Sequence, residues 1–196
     1  EQAAGKMATF AESNTDLRLP FFGWSTTAEA YQSVNPAAIV LLAPLVGMLF
    51  TRRAGKFPST IMKFVIAVLI VGLSALMLGY GFQIWPGGQD LSPWWFLALV
   101  YVIQTVAELF LTPVGLATTT ALAPRSFASQ AMGLWWLSVA AGQGVAGFVI
   151  AQTEHLSDAT YYYGLGVATL LMALVLFAVA PWTQRQMADV ETVTAE

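Results

Sequence analysis

The sequence predicts an all-α integral membrane protein built as a helical bundle. Hydrophobic residues occupy 57% of its 196 positions and charged residues only 10%, whereas about 25% of the residues in an average soluble domain are charged. Apolar stretches recur, each close to the roughly 20 residues that a helix needs to cross a bilayer. Alternation with a period of two, which would predict a barrel, is absent. In lipid such segments satisfy their own backbone hydrogen bonds as helices.

The first elements are a partial helix and two full spans. Residues 1–17 ("EQAAGKMATFAESNTDL") have a helical composition but are too short and too polar to cross the membrane alone. We interpret them as the end of a helix whose start is missing, in a chain that begins inside a larger protein. The first full span is predicted at 36–51 ("PAAIVLLAPLVGMLF" and one further residue), and the second at 61–82.

Three more spans complete the predicted bundle, at 94–122, 130–151 and 161–181. The third is the longest and contains a carboxylate and a proline. The fourth contains Gly, Ala and Ser at every third to fifth position, a pattern that lets helix backbones pack closely. Aromatic rings at span ends are typical of membrane interfaces, and we expect this role for Trp85, Trp94, Trp95, Tyr161, Tyr162, Tyr163 and Trp182.

Basic residues predict the orientation of the five spans. Six of the eight lie on one side if the spans alternate, and positive charge favours the cytoplasmic side. The loops 52–60 and 123–128 and the C-terminus are therefore predicted to be cytoplasmic, in a multi-pass protein of the cell (inner) membrane. The opposite loops, 85–93 and 152–160, contain no Lys or Arg. The six residues are Arg52, Arg53, Lys56, Lys63, Arg125 and Arg185.

The composition also excludes several classes of function. Cysteine is absent and there is one histidine, so we expect no thiolate or histidine metal site and no cofactor. The formal net charge of −3 is too small to predict a nucleic-acid partner. A membrane enzyme would need a nucleophile, a metal ligand or a second carboxylate at the depth of the acid in the third span, and the spans offer none. We therefore predict that the chain is not an enzyme.

The third span contains the strongest candidate site. Gln104, Glu108, Thr112 and Gly115 share one helix face. An ionised carboxylate facing lipid costs about 3 kcal/mol or more, so Glu108 should face the bundle interior or a water-filled cavity, where it can accept a proton. Pro113 removes a helical hydrogen bond and Gly115 permits close approach, so the pair is a candidate hinge. The alternative is that Glu108 only caps or pairs with a neighbouring helix.

Trp135 and Ser138 are candidates in the fourth span. Trp135 lies inside the span rather than at its end, close to Ser138. An indole that faces a polar cavity provides a hydrogen-bond donor and a flat apolar wall. Packing against a neighbouring helix is an equally good explanation from the sequence alone.

Three segments resemble one family of membrane carriers. They are "SVNPAAIVLLAPL" (33–45), "AELFLTPVGLATTTALAP" (107–124) and "SQAMGLWWLS" (129–138). In this order and spacing they resemble the second half of the proton-dependent oligopeptide transporters, a branch of the major facilitator superfamily. Residues 1–11 are similar to the end of that family's seventh helix, and the five spans then correspond to helices eight to twelve. The resemblance covers nearly the whole chain.

The resemblance implies proton-coupled symport of di- and tripeptides by alternating access. Glu108 matches the acid that receives the peptide amino terminus, and Asn35 the amide that holds the same end. Trp135 matches an aromatic that lines the pocket, with Ser138 close to it. Glu1 matches an acid implicated in proton coupling. Pro36 and Pro113 lie beside two of these residues, which suits a helix that bends.

Other readings remain open from the sequence. Lys6 stands where the family usually has a hydroxyl, and it is a candidate gate or coupling residue that could pair with Glu1 or Glu12, contact the missing half, or extend toward a polar cavity. The first-half proton motif of the family is absent, so the expected partners are peptides, protons, lipid and the N-terminal six-helix half. The alternatives are a related carrier for amino acids, nitrate or drugs, or a non-transporting scaffold.

Overall fold

The protein is a bundle of long helices with one short helix at one end. The structure, a computed structural model, describes residues 6–19, 24–52 and 58–194. A 3-10 helix, Ala28–Ser33, leads directly into the second α-helix, and another, Arg125–Phe127, precedes the fifth. The elements are α1 Lys6–Ser13, β1 Arg18–Leu19, β2 Trp24–Ser25, α2 Val34–Arg52, α3 Thr60–Ile84, α4 Trp94–Leu122, α5 Ala128–Gln152 and α6 Asp158–Thr194.

Helix α3 is the centre of the described bundle, packed between α6 and α4. Glycines let α3 and α6 approach closely. A Cβ atom at Gly79 would lie 3.2 Å from the backbone N of Tyr163, and one at Gly166 would lie 2.6 Å from the side chain of Leu76. Small residues at such crossings bring helix backbones together in membranes, where packing rather than the hydrophobic effect drives association. The α3–α6 pair is therefore a tightly fitted unit.

A core of aromatic and aliphatic side chains closes one end of the bundle. Met7, Phe10 and Ala11 of α1 are fully buried, and the Phe10 ring lies edge-on to Phe82 with centroids 4.6 Å apart. Tyr162 of α6 stacks on the same Phe82 at 5.6 Å. Edge-on and stacked pairs at these distances add to the stability gained by burial. Helix α1 is thus packed into the same unit as α3 and α6.

Short polar links tie the α1 end to the α3–α4 connection. The Asn14 side chain donates a hydrogen bond to the Trp85 carbonyl at 2.7 Å, and the Ser92 backbone N donates to the Asn14 carbonyl at 2.7 Å. Gly87 adopts a φ of +96° in this connection, a conformation that L side chains rarely adopt. Strands β1 and β2 form a two-residue antiparallel ladder beyond α1.

Helix α5 is the least packed of the long helices. None of its described residues is buried, and it packs mainly against α4. A Cβ atom at Gly133, Gly142, Gly144 or Gly147 would meet no atom within 4 Å among the described residues. The close packing that its small residues predict is therefore not made within the described part of this chain.

The predicted fold class is confirmed, with differences in detail. Five helices are long and apolar enough to cross a membrane. Helix α1 ends at Ser13 rather than near residue 17, and α6 continues through Pro181 to Thr194. The β1–β2 ladder was not predicted, because two-residue strands leave almost no pattern in a sequence. Tyr161 and Tyr162 are 4% and 1% exposed, so the prediction that they anchor an interface was wrong: both belong to a core cluster that also contains Met7 and Phe10 of α1.

Candidate functional site

The centre of the candidate site is a contact between Asn35 and Glu108. Asn35 Nδ2 donates a hydrogen bond to Glu108 Oε2 over 3.2 Å, joining the first turn of α2 to the middle of α4. The hydroxyl oxygen of Thr105, which is fully buried, lies 3.3 Å from Asn35 Oδ1 and 2.8 Å from the Tyr101 carbonyl oxygen. The Asn35 amide is therefore held between α4 contacts one turn apart.

Local sequence explains why this asparagine can reach α4. Pro36 follows it within the first turn of α2, where a helix has no backbone N–H bond to lose. The suggestion that Pro36 suits a helix that bends stays a prediction. Pro113 is different: it lies inside the continuous helix α4, where it removes the hydrogen bond to the Leu109 carbonyl.

Glu108 opens onto a cavity of about 440 Å3. Its side chain is exposed in this chain, although it lies in the middle of a membrane-spanning helix. A carboxylate accepts several hydrogen bonds on its two oxygens, so the contact with Asn35 leaves acceptor capacity directed at the cavity. The lining is otherwise mostly apolar, which strengthens any charge interaction made there. The residues that line it are Ile39, Glu108, Leu109, Thr112, Pro113 and Leu116.

The polar face predicted on α4 meets different partners along its length. Gln104 Nε2 lies 3.4 Å from the Ser74 hydroxyl of α3, Glu108 bonds α2, and Thr112 lines the cavity. Gly115 faces α5 instead. The stripe therefore connects α4 to three neighbouring helices, and the part near Glu108 and Thr112 opens to the cavity.

Trp135 packs against Gly115. A Cβ atom at Gly115 would lie 2.0 Å from Cη2 of the Trp135 indole and 2.6 Å from its Cζ2 and Cζ3. Trp135 therefore occupies the space that a side chain at position 115 would need, and this contact seats α5 on α4. Trp135 and Gly115 also border a second cavity of about 410 Å3, lined further by α3 and α6 residues. Trp135 therefore lines this second cavity and not the cavity beside Glu108.

Ser138 and the two outer candidates stand apart from this centre. The Ser138 hydroxyl donates to the Trp135 carbonyl at 2.7 Å, within its own helix. Glu1 lies outside the described residues. Lys6 forms an ion pair with Asp158 at 2.5 Å, a partner that was not among those left open from the sequence. Asp158 was missed because only the fold brings the start of α6 to α1.

Five helices are long and apolar enough to cross a membrane, and one of them contains a carboxylate that opens onto a cavity. These features define a multi-pass membrane protein with a polar site on a membrane-spanning helix. The sequence profile described as the POT family matches residues 1–163. The chain belongs to the POT family, a family of transporters. The family predicted from the three motifs is thereby confirmed.

Individual relatives agree with this assignment. The uncharacterized transporter YclF of Bacillus subtilis (strain 168) is 32% identical over 97% of this chain, and the di-/tripeptide transporter of Lactococcus lactis subsp. lactis (strain IL1403) is 29% identical over 97%. A crystal structure of a POT family transporter in complex with a thioalcohol-conjugated peptide superposes with a TM-score of 0.82 at 31% identity over 92% of this chain. The chain spans 38% of the length of both relatives and 37% of the solved structure.

Proposed function

We propose that this chain is the C-terminal half of a secondary active transporter that couples proton entry to symport of di- and tripeptides. It would supply one wall of a cleft whose other wall belongs to an N-terminal six-helix half. The observation that supports this most directly is the Asn35–Glu108 pair, open to a cavity at the middle of a membrane-spanning helix. The Lactococcus relative, a di-/tripeptide transporter, and the peptide-bound structure support peptides as the substrate class.

The chemistry of the pair suits the amino terminus of a peptide. A peptide ammonium has three donors and one positive charge, so it needs a carboxylate and neutral acceptors where water is scarce. Glu108 would supply the charge, and the Asn35 amide, fixed by its α4 contacts, would hold the carboxylate in place. Attraction between the two charges is stronger in a mostly apolar cavity than in water. A free amino group would therefore be the feature that the site selects.

Two residues of α5, Trp135 and Ser138, would act outside the Glu108 cavity. Trp135 would present its indole as an apolar wall of the second cavity for a substrate side chain, and Ser138 would lie one turn further along the same helix. Because the indole tip fills the space beside Gly115, movement of α5 would be linked to the shape of α4. Pro113 lies two residues before Gly115 and removes one backbone hydrogen bond of α4. It would therefore let α4 bend close to the contact between Gly115 and Trp135.

Proton coupling would involve the two acids of the resemblance. Glu108 and Glu1 would be the two proton-coupling groups. The protein would be oriented with the 52–60 and 123–128 loops and the C-terminus in the cytoplasm of a cell with an inner membrane. Described basic side chains on that side include the exposed Arg52 and Arg185.

Uptake into liposomes tests the proposal. The full-length protein that contains this chain is reconstituted, an inward proton gradient is imposed, and uptake of a labelled dipeptide is measured. We expect gradient-dependent uptake that free amino acids do not compete with and that Glu108→Gln abolishes. Glu154→Gln is the matched control, because it makes the same chemical change at an exposed carboxylate in the α5–α6 connection.

Each alternative predicts a different result. Uptake that amino acids, nitrate or a drug compete with, but peptides do not, would assign a different solute on the same fold. Gradient-driven peptide uptake that Glu108→Gln leaves intact would keep the transporter and reject the site. Folded protein with no uptake of any of these solutes would favour a non-transporting scaffold.

A further inference from the structure

Thr105 is a buried polar residue directly behind the Asn35–Glu108 contact. Its side chain is fully buried in α4, whereas Glu108, three residues further along the same helix, is exposed. Residues three apart are neighbours on one helix face. The Asn35 amide of α2 reaches both, with its oxygen 3.3 Å from the Thr105 hydroxyl and its nitrogen 3.2 Å from Glu108 Oε2. One amide therefore connects a group shielded from water to a group that faces the cavity.

The chemistry of these groups fixes which end of the amide lies where. An ionised carboxylate only accepts hydrogen bonds, so the amide must present its NH2 group to Glu108. The amide oxygen then lies against Thr105, whose hydroxyl can donate to it. If the amide were turned over, its oxygen would face the carboxylate with no proton between them. The Thr105 hydroxyl therefore favours the orientation in which Asn35 donates to Glu108.

The Thr105 hydroxyl has one proton and two acceptors within reach. The Tyr101 carbonyl oxygen lies at 2.8 Å and Asn35 Oδ1 at 3.3 Å. The Tyr101 carbonyl also receives the regular backbone hydrogen bond of α4 from the Thr105 N–H, so it keeps a donor wherever the hydroxyl proton lies. Thr105 is the described donor that reaches Asn35 Oδ1, and its burial hinders water from taking its place. Loss of the hydroxyl therefore affects Asn35 more than Tyr101.

The orientation of Asn35 decides how Glu108 meets a ligand. Glu108 Oε2 accepts from Asn35, and the remaining acceptor capacity of the carboxylate is directed at the cavity. A donor that Thr105 holds in place restrains the rotation of this exposed side chain. Binding groups that are ordered in advance lose less entropy when the ligand arrives. An amide that is free to turn would leave the carboxylate without this restraint.

We propose that Thr105 is a positioning residue for the substrate's amino group: its buried hydroxyl donates to Asn35 Oδ1, keeps the Asn35 N–H on Glu108, and so sets the preference of the site for a free amine over a blocked one. This inference rests on the proposed function. It adds a residue that acts through Asn35, because the hydroxyl is fully buried and does not reach the cavity.

Equilibrium binding to the full-length protein tests this role. The Kd is measured for a dipeptide and for the same dipeptide acetylated at its amino terminus. Thr105→Val removes the hydroxyl and keeps nearly the same shape, so we expect the preference for the free amine to fall about tenfold. The Kd of the acetylated dipeptide should stay within about twofold of wild type. Thr105→Ser, which retains the hydroxyl, should keep most of the preference, and Thr105→Ala gives the same test should Thr105→Val not fold.

Thr169→Val is the matched control. Thr169 is a partly buried residue of α6 whose hydroxyl donates to the Leu165 carbonyl at 2.7 Å. This is the same kind of bond within a helix that Thr105 makes to Tyr101. The control therefore removes an equivalent bond without changing the surroundings of Asn35, and the preference for the free amine should not change.

The double variant Thr105→Val with Asn35→Ala separates positioning from packing. If Thr105 acts through Asn35, adding Thr105→Val to Asn35→Ala should change the preference by less than about twofold, because the amide that it positions is already absent. A purely structural role predicts that Thr105→Val weakens the binding of both ligands equally, or that its effect persists in the Asn35→Ala background. Either result would overturn the inference.

Failure of the proposed function has a different signature. In that case the wild-type protein itself does not bind the dipeptide, or binds both ligands equally, and the role of Thr105 in amine preference is rejected with it. A normal preference in wild type that Thr105→Val leaves unchanged would reject the inference alone.

Discussion

Replacing Gly115 with alanine should disturb the packing of the Trp135 indole against α4. The new methyl group would lie 2.0 Å from the indole Cη2 and 2.6 Å from two further ring carbons, whereas carbon atoms in favourable contact are about 3.5–4.0 Å apart. The ring tip must therefore move by about 1.5 Å or more, or α5 must move away from α4. Overpacking of this kind costs about 1–3 kcal/mol.

The same energy should appear in stability and in transport. A cost of about 1–3 kcal/mol corresponds to about a 5- to 150-fold change in an equilibrium. We expect Gly115→Ala to lower the thermal midpoint of the full-length protein. Where the strain falls on one state of the transport cycle, peptide uptake should fall by no more than that factor. Gly164→Ala is the control, because a side chain at position 164 would meet no described atom within 4 Å. Gly166 faces α3, and a residue two positions away on a helix lies on nearly the opposite side, so position 164 faces away from α3.

A rescue variant links the effect to the indole. Phenylalanine at position 135 lacks the outermost ring atoms that the alanine methyl group would contact. Trp135→Phe combined with Gly115→Ala should therefore be more stable than the sum of the two single changes predicts. Wild-type stability and uptake in Gly115→Ala, or strictly additive effects in the double variant, would refute the packing argument.

Three further predictions concern other described contacts. Tyr162→Phe should raise the free energy of unfolding by about 1 kcal/mol, because the buried Tyr162 hydroxyl has no hydrogen-bond partner among the described residues. Tyr31→Phe should lower the free energy of unfolding, because it loses a 3.1 Å hydrogen bond to a backbone carbonyl. Equal effects of the two changes would contradict this reasoning. Gly81→Ala should lower the thermal midpoint, since the added methyl group would lie 2.5 Å from a buried ring, and an unchanged midpoint would be inconsistent with that geometry. Asn35→Ala should raise the KM for peptide about tenfold, since a hydrogen bond to charged Glu108 is worth about 1.5 kcal/mol or more; an unchanged KM would remove the amide from the site.

Much of the fold could be predicted from the sequence because membrane helices have strong local signals. Length, apolarity and the absence of period-two alternation identify each span without knowledge of its neighbours. The position of α4 at Trp94–Leu122 coincides with the predicted third span. The extension of α6 past Pro181 could not be predicted in the same way. Proline usually ends a helix, and α6 is an exception because it continues through Pro181.

The candidate site was predictable only in part. A carboxylate in a membrane-spanning helix is conspicuous because placing its charge in lipid costs free energy, so Glu108 could be identified from the sequence. Asn35 and Glu108 lie 73 residues apart in the sequence, so their contact depends on how two helices are placed. The family resemblance, and not the spacing, suggested that the two residues act together. Lys6 was equally conspicuous, but its partner Asp158 is 152 residues away, whereas the acids considered from the sequence, Glu1 and Glu12, lie close to Lys6 in the chain.

The burial of Tyr161 and Tyr162 shows a limit of rules based on span ends. Aromatic residues at a span end usually lie at the lipid interface. Here they belong to a core cluster that also contains Met7 and Phe10 of the short helix α1. A helix of eight residues has too weak a pattern to predict where it packs. Aromatic residues at a span end can therefore lie either at the lipid interface or in the core of the bundle.

The measurement that tests the role of Glu108 most directly is a comparison of two ligands. The affinity of the full-length protein is measured for a dipeptide and for the same dipeptide acetylated at its amino terminus, in wild type and in Glu108→Gln. If the carboxylate binds the peptide ammonium, wild type should prefer the free amine by about 10- to 100-fold, the worth of a charge-assisted hydrogen bond. Glu108→Gln should lose most of that preference. An equal preference in both proteins would contradict the assignment of Glu108 to the peptide amino terminus.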